Sequence, residues 1–294
     1  MPALLRSDDG SLRSQNADHD QLGTLVTFIG IRGLSDEMKT MIQKMKREIA
    51  HLRDVLYYRL TFDSSSEQAV MDQFHKLYFD SHVFGKAWMG SSWMGVRIHK
   101  CPTDLWTYQE IIYEVEPDVI VETGTLLGGS AYYLASLCDL IGRGRVITID
   151  VDSAEDSISR ERGPVCKVRP NHPRITYLRG SSTSEDVLLR VKSLIHTGDR
   201  VLVVLDSDHS KGHVFEELCA YSPLVSMGSY LIVEDTNVNG HPILPQFGPG
   251  PMEAVEEFLA MNTNFVLDRS REKHLLTFNP NGYLRRKSED TLKE

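Results

Sequence analysis

The chain has 294 residues and a formal net charge of −9, with 41% hydrophobic and 25% charged residues. This composition is that of a globular protein with a sizeable core. The acidic balance argues against nucleic acid or an anionic membrane surface as a partner, and no apolar run approaches the roughly 20 residues of a membrane span. The first twenty residues lack the apolar core of a signal peptide, so we expect a cytoplasmic location. Reduced thiols are expected because four cysteines lie far apart: Cys101, Cys138, Cys166 and Cys219.

The first part of the chain predicts helices. We assign residues 1–34 to a mobile tail, because its first twenty residues are polar and aperiodic, and residues 35–116 to a helical N-terminal region and cap. A helix is predicted from Ser35 to Tyr58. Apolar side chains recur along it at alternating steps of four and three, which predicts a heptad stripe of Met38, Ile42, Met45, Ile49, Leu52 and Leu56. Such a stripe fits packing on the chain's own domain and contact with another subunit equally well.

An aromatic segment follows in this N-terminal region. The run Trp88-Met-Gly-Ser-Ser-Trp-Met-Gly95 is too aromatic for an idle linker, so it either covers a ligand or packs on the domain that follows. A further helix is expected after it, with Thr103 or Asp104 as its cap and Pro117 beyond its end.

After Pro117 the pattern changes to alternating strands and helices, which predicts a parallel sheet covered on both faces. We expect strands at 118–122, 145–150, 174–178, 201–206 and 230–235, with closing strands near 265–268 and 275–278 as an antiparallel hairpin. The prediction is an α/β, Rossmann-like domain over residues 117–286, followed by a C-terminal tail at 287–294. Ligands of such sheets bind beyond the carboxyl ends of the strands.

The turn after the first strand carries an acid-x-Gly-x-x-x-Gly pattern in Glu122-Thr-Gly-Thr-Leu-Leu-Gly-Gly-Ser130. A dinucleotide fold uses G-x-G-x-x-G there to hold pyrophosphate, whereas an acid repels phosphate and attracts the amine of S-adenosylmethionine (SAM). Asp150, at the end of the second strand, suits the two hydroxyls of a ribose, as acids in NAD sites also do. Ser181 and Ser182 suit an adenine edge. The candidate SAM-binding residues are Glu122, Thr123, Gly124, Thr125, Gly128, Ser130, Asp150, Ser181, Ser182 and Asp206.

Acids also follow the fourth and fifth strands, as Asp206 with Asp208 and Glu234 with Asp235. Neighbouring strand ends lie ~5 Å apart, and four carboxylates so close repel unless a cation neutralises them. Oxygen ligands favour Mg²⁺, with Ca²⁺ or Mn²⁺ as alternatives, and the pattern does not decide between Asp206 and Asp208. The competing interpretation of the acids is helix capping and salt bridging. His209 is the candidate general base, with a structural role as its alternative.

Six short motifs carry a family resemblance: 100–106, 121–125, 128–131, 205–209, 233–236 and 248–251. Over about residues 93–286 the chain resembles the cephalosporin hydroxylase family, which includes the mycobacterial rhamnosyl O-methyltransferases. The resemblance implies a class I methyltransferase fold, SAM, Mg²⁺ and a homo-oligomer. It also implies that Asp206 is a metal ligand with a part in catalysis, and that His209 stands where a catalytic base is found.

The activity so implied is transfer of a methyl group to a small-molecule hydroxyl, on a sugar or another natural product such as an antibiotic precursor. Two alternatives stay open from the sequence. One is a cephalosporin-type hydroxylase or its partner subunit, and the other is a non-catalytic module that binds a nucleoside.

Overall fold

The computed structural model describes residues 35–153, 155 and 169–288. The chain divides into two compact units, Met1–Glu67 and Gln68–Glu294. The predicted N-terminal tail, most of the C-terminal tail and Cys166 lie outside the described residues. The other three cysteines are free thiols.

The described part of the first unit is dominated by helix α1, Asp36–Thr61. Ser35 caps it, because its hydroxyl accepts a hydrogen bond from the Met38 amide, and Asp36 lies in the first turn, where the helix dipole favours an acid. The predicted helix is therefore confirmed. No residue of α1 is buried in the part of the chain that the structure describes, and every residue of the heptad stripe is exposed except the half-buried Ile42.

Six further α-helices follow among the described residues: α2 Ser64–Asp80, α3 Pro102–Val115, α4 Gly129–Leu140, α5 Glu185–Ser193, α6 Lys211–Tyr221 and α7 Pro251–Met261. Two short strands, β1 Ser92–Trp93 and β2 Val96–Arg97, form a small hairpin. The strands of the main sheet are β3 Val119–Thr123, β4 Arg145–Asp150, β5 Ile175–Arg179, β6 Val201–Leu205, β7 Tyr230–Val233, β8 Phe265–Leu267 and β9 Tyr283–Arg286.

The main sheet has seven strands in the order β5-β4-β3-β6-β7-β9-β8. The first five of these run parallel to one another, whereas β9 runs antiparallel to both β7 and β8. This confirms the α/β prediction and its antiparallel closing hairpin. The chain adds strands outward in one direction from β3 to β5 and then in the other direction from β6. Ligands in folds of this type bind at the point between β3 and β6 where this order reverses.

The core lies on both faces of this sheet because its central strands are apolar throughout. Val119 and Val121 of β3 face one cluster, which includes Val187 of α5 and Leu218 of α6. The residue between them, Ile120, faces the other cluster with side chains of α3 and α4. Strand residues alternate between faces, so helices on both sides are needed to cover them.

Two predictions at the ends of elements were wrong. The last strand is β9 and not 275–278, because the side chains of Leu276 and Phe278 enter a separate small apolar cluster with Cys101. Helix α3 begins at Pro102 with Cys101 as its N-cap, and Asp104 is buried within the fold instead of capping the helix.

Among the described residues, no helix has the length and the apolar character that a membrane crossing needs.

Candidate active site

A cavity of about 700 Å³ opens at the carboxyl ends of the parallel strands. It has the size of a small-molecule site. Most of the predicted residues at the strand ends line this one cavity: Gly124, Asp150, Ser181, Ser182, Asp206, Asp208, His209 and Asp235. The sequence therefore predicted the location of the cavity from strand ends alone.

The glycine turn after β3 forms part of the cavity wall. Gly124 has a φ of +86°, and a Cβ built there would lie 1.8 Å from the backbone oxygen of Asp206. Glycine is therefore required because two strand ends meet at this point. A larger residue at 124 would displace Asp206 itself, in addition to any clash with a bound ligand.

Glu122 lies beneath this turn and not on the cavity wall. Its carboxylate is buried and accepts a hydrogen bond from the Thr148 hydroxyl at 2.6 Å. Burial raises the pKa of Glu122 to about 7, against the opposing charge of Lys100. Direct contact between Glu122 and the amine of SAM, which the pattern had suggested, is therefore not supported by this placement. Others of the predicted set also lie outside the cavity lining: Thr123, Thr125, Gly128 and Ser130.

Asp150 is the acid that faces the cavity at this end. One of its oxygens accepts from the Leu126 amide at 2.7 Å, and the other accepts from the Asp152 amide at 2.9 Å. These bonds fix the side chain between the glycine turn and the end of β4. A carboxylate has lone pairs for further donors, so the hydroxyls of a ribose are acceptable partners.

A cluster of possible metal ligands lies at the other end of the cavity. Asp206, His209 and Asp235 each offer a ligand atom, and these atoms lie within 4.8 Å of one another. Ligands of one Mg²⁺ at ~2.1 Å are at most about 4 Å apart, so small side-chain movements are enough to hold the ion. The residues present therefore fit a divalent cation of this type.

Asp235 has an unusual backbone conformation that aims it at this cluster. Its φ is +54°, in the left-handed region that aspartate tolerates better than most residues. The Asp235 amide donates to Oδ1 of buried Asn279 at 3.1 Å, and its carboxylate lies 3.2 Å from Nε2 of His209. Strain of this kind is typical of functional positions.

The pKa values of this cluster are interdependent. Burial raises the pKa of both Asp206 and Asp235, and the nearby charges of Lys100 and His209 oppose the rise. Burial lowers the pKa of His209, but the carboxylates of Asp235 and Asp206 outweigh it and leave that pKa above its ordinary value. A cation at this point favours ionised carboxylates and a neutral imidazole.

Glu234 is bound by two buried partners and does not belong to the cluster. The ammonium of Lys100 bonds to Oε1 of Glu234 and to Oδ2 of Asp206, and the Tyr108 hydroxyl donates to the same Glu234 oxygen at 2.6 Å. Sequence reasoning missed Lys100, which is separated from these acids by more than a hundred residues. The signal available was its position at the start of the 100–106 motif, just before the helix-starting Pro102.

Asp208 also has another structural role. It lines the cavity, but its carboxylate accepts from the Ser210 amide at 2.8 Å, next to the start of α6. Its oxygen is not in the cluster that Asp206 forms with His209 and Asp235. The role of Asp208 and Glu234 as metal ligands stays a prediction.

The remaining wall of the cavity is aromatic. Trp88 lies in the predicted aromatic segment, and its ring packs against Phe79 at 5.4 Å and edge-on to His99 at 5.8 Å and Phe278 at 6.1 Å. All four rings line the cavity, together with Phe247 from the loop after β7. The segment thus both packs on the domain and faces the ligand space, so the two alternatives left by the sequence are compatible.

His213 is a cavity residue that the sequence did not indicate. Its Nε2 lies 3.1 Å from the Ser182 hydroxyl and 3.0 Å from the Ser207 hydroxyl, and Ser207 donates to buried Glu217. The network joins the segments that follow β5 and β6.

A Rossmann-like sheet closed by an antiparallel hairpin, with a glycine turn after its first long strand and an acid after the next, is the fold of the class I SAM-dependent methyltransferases. A solved CmcI structure described with Mg and SAM shares this fold, with a TM-score of 0.50 and 24% identity over 67% of this chain and 77% of that one.

The model of the family described as Rhamnosyl O-methyltransferase/CmcI matches residues 85–287, and the chain belongs to that family. The Rhamnosyl O-methyltransferase of Mycobacterium bovis (strain BCG / Pasteur 1173P2) is 36% identical over 242 residues, which are 81% of this chain and 91% of that protein. The protein of the same name from Mycobacterium leprae (strain TN) is 34% identical over 224 residues, or 74% of this chain and 91% of its own. The chain is therefore a SAM-dependent O-methyltransferase, which confirms the family and the activity expected from the sequence.

Proposed function

We propose that this enzyme methylates a hydroxyl group of a sugar or a glycosylated natural product, with a Mg²⁺ ion held by Asp206 and Asp235. One observation carries the proposal. A single cavity is lined by the donor-side residues Gly124 and Asp150, by the two acids, and by an aromatic wall. The similarity to rhamnosyl O-methyltransferases supports a sugar as acceptor, and the CmcI structure with Mg and SAM supports the choice of ion.

Different residues of the cavity have different roles in this proposal. Asp150 binds the ribose of SAM, while Ser181 and Ser182 face its adenine. The reaction forms a bond between the acceptor oxygen and the methyl carbon and breaks the bond between that carbon and the sulfonium sulfur. A bound divalent cation lowers the pKa of an acceptor hydroxyl and holds it in place. His209, 3.2 Å from Asp235, takes the proton that the hydroxyl loses.

The metal site is tested by Asp235→Asn and Asp206→Asn, with Asp208→Asn as the matched control. We expect the first two to weaken Mn²⁺ binding, measured by electron paramagnetic resonance, at least about tenfold, because a carboxylate ligand is lost. The control should bind Mn²⁺ within about threefold of wild type, since Asp208 lies outside the cluster. Equal losses in all three variants would show that the cluster has no special role.

The role of His209 needs a separate experiment, since it lies both in the cluster and next to the acceptor space. We expect His209→Ala to keep Mn²⁺ affinity within about tenfold of wild type and to lose about 10²–10⁴-fold in kcat with p-nitrophenyl rhamnoside as acceptor. If His209→Ala also loses Mn²⁺ binding, His209 is a metal ligand instead of the base.

We further propose that the protein is a homo-oligomer and that it works in the cytoplasm. The exposed stripe of α1 supports the first point. The free thiols of Cys101, Cys138 and Cys219 support the second, because reduced cysteines are usual in a reducing compartment.

A further inference from the structure

Helix α1 leaves a long apolar stripe in water. The helix has 26 residues and none of them is buried. Met45, Leu52 and Leu56 of the stripe are 51%, 66% and 61% exposed. Most helical stability in proteins comes from packing of an apolar face, and a large exposed apolar patch marks a surface that another molecule covers.

The spacing and residue types of the stripe select a particular kind of partner. In heptad terms the a positions are Ile42, Ile49 and Leu56, and the d positions are Met38, Met45 and Leu52. Isoleucine at a with leucine at d favours a parallel pair of helices over trimers or tetramers. A second copy of α1 matches this helix in length and in the positions of its apolar residues. Two identical chains pair most simply around a twofold axis.

The charges beside the stripe decide the direction of pairing. The e positions carry Lys39, Lys46 and Arg53, and Glu48 occupies a g position. In an antiparallel pair the basic e positions would face one another and repel. In a parallel pair Glu48 faces Arg53 of the partner subunit, which is attractive. Arg53 also contacts Asp54 on its own helix, in an exposed pair of a kind that contributes little.

We propose that α1 of two copies of this chain forms a parallel, two-stranded coiled coil. The pairing involves no residue of the proposed catalytic site. Evidence against the pairing would therefore leave the proposed methyl transfer untouched, and the reverse is also true.

The pairing is tested on the full chain by sedimentation equilibrium over a dilution series. We expect Ile49→Asp to raise the dissociation constant of the α1 pair more than about a hundredfold, because it buries an unpaired charge at the centre of the seam. Thr40→Asp is the matched control, since it makes the same neutral-to-acidic change on the outer face and should shift the constant by under about threefold. Turnover should be unchanged in the control.

The direction is tested by Leu52→Cys, with Arg47→Cys as the control on the outer face. Equivalent d positions face each other only in a parallel pair, so mild oxidation should cross-link the first variant between subunits and leave the second uncross-linked. Glu48→Arg should weaken pairing about tenfold, and Glu48→Arg with Arg53→Glu should restore it.

Several results would overturn the proposal. They are a monomeric wild type at all concentrations, a trimer or tetramer built on α1, and an Ile49→Asp protein whose mass matches wild type throughout the dilution series. Absence of the Leu52→Cys cross-link in an associated protein would reject the parallel direction.

Discussion

Lys100 places a positive charge between acids that come from two different strands. Its ammonium is 4% exposed and bonds to both Asp206 and Glu234. Burial lowers the pKa of Lys100, but the two carboxylates outweigh this effect and hold that pKa above its ordinary value. The lysine therefore stays charged, and it balances part of the acidic charge before any metal binds.

This position makes Lys100→Met a strongly destabilising change. We expect the free energy of unfolding to fall by about 3–5 kcal/mol, because two buried carboxylates lose their cation. Lys211→Met is the matched control: its ion pair with Glu257 is exposed, so the loss should stay below about 1 kcal/mol. Urea denaturation with and without Mg²⁺ measures both effects. Mg²⁺ should restore more stability to Lys100→Met than it adds to wild type, and equal losses in the two lysine variants would contradict this interpretation.

Gly124 allows a second comparison at single-residue scale. Gly124→Ala introduces a Cβ 1.8 Å from the Asp206 backbone oxygen, whereas Gly142→Ala meets nothing within 4 Å, and both glycines have positive φ. We expect Gly142→Ala to cost about 1–2 kcal/mol from backbone strain alone. Gly124→Ala should cost more and should also weaken Mn²⁺ binding, because Asp206 is displaced. Thermal unfolding and metal titration of the two variants test this, and identical behaviour would exclude the steric role of Gly124.

At the scale of elements, helix α2 is joined to the loops around the site through His75. The His75 ring is buried, stacks on Phe278 with centroids 5.5 Å apart, and has its Nε2 2.9 Å from Nδ2 of Asn237. Because the Asn237 amide group donates, this nitrogen accepts and the ring is neutral.

The stability of this contact depends on pH. Burial lowers the pKa of His75 to about 4 from an ordinary value of 6.5. The unfolded chain therefore binds a proton between these values that the folded chain does not, so stability is lost as pH falls from 6.5 towards 4. At pH 5 this amounts to about 2 kcal/mol relative to pH 7.

Urea denaturation of wild type and His75→Gln at both pH values measures the effect. The variant should lack this part of the loss, while the same substitution at exposed His51 should leave the pH dependence of wild type unchanged. If His75→Gln and wild type lose stability equally on acidification, another group is responsible.

Much of the sheet could be predicted because its strands are short, fully apolar runs between turn residues. The last strand could not. Residues 275–278 are more apolar than β9, yet Leu276 and Phe278 are buried in a loop whose backbone is held by Asp104. That contact joins positions more than 170 residues apart, and no local pattern encodes it.

In the candidate site, too, the local pattern predicted some residues, and contacts between distant parts of the chain decided the others. Strand ends predicted Asp150, Asp206 and Asp235, because parallel strands deliver them to one edge. The strand ends did not predict that Glu122 faces inward or that the ammonium of Lys100 bonds to Glu234. Both features depend on side-chain contacts across the fold.

At the scale of the whole molecule, the described lining of the cavity begins at Phe79 and belongs to the second compact unit. Asp63 precedes α2, and its carboxylate accepts from the amides of Ser65 and Ser66. A chain that begins at Asp63 should therefore fold and bind S-adenosylhomocysteine within about threefold of the full chain. Calorimetry of both proteins checks this. A folded, truncated chain that no longer binds would show that residues before Asp63 contribute to the site.

Strands β6 and β7 are paired in parallel with Leu205 opposite Val233, so the residues that follow them emerge side by side. The separation of Asp206 and Asp235 is thus set by backbone pairing deep in the sheet, where a slip of one residue would turn every side chain to the wrong face. Trp88 and Phe247 of the aromatic wall come from segments outside the sheet, so its strand register does not fix them. Substitutions at Trp88 or Phe247 should therefore reshape the cavity while the separation of Asp206 and Asp235 stays constant.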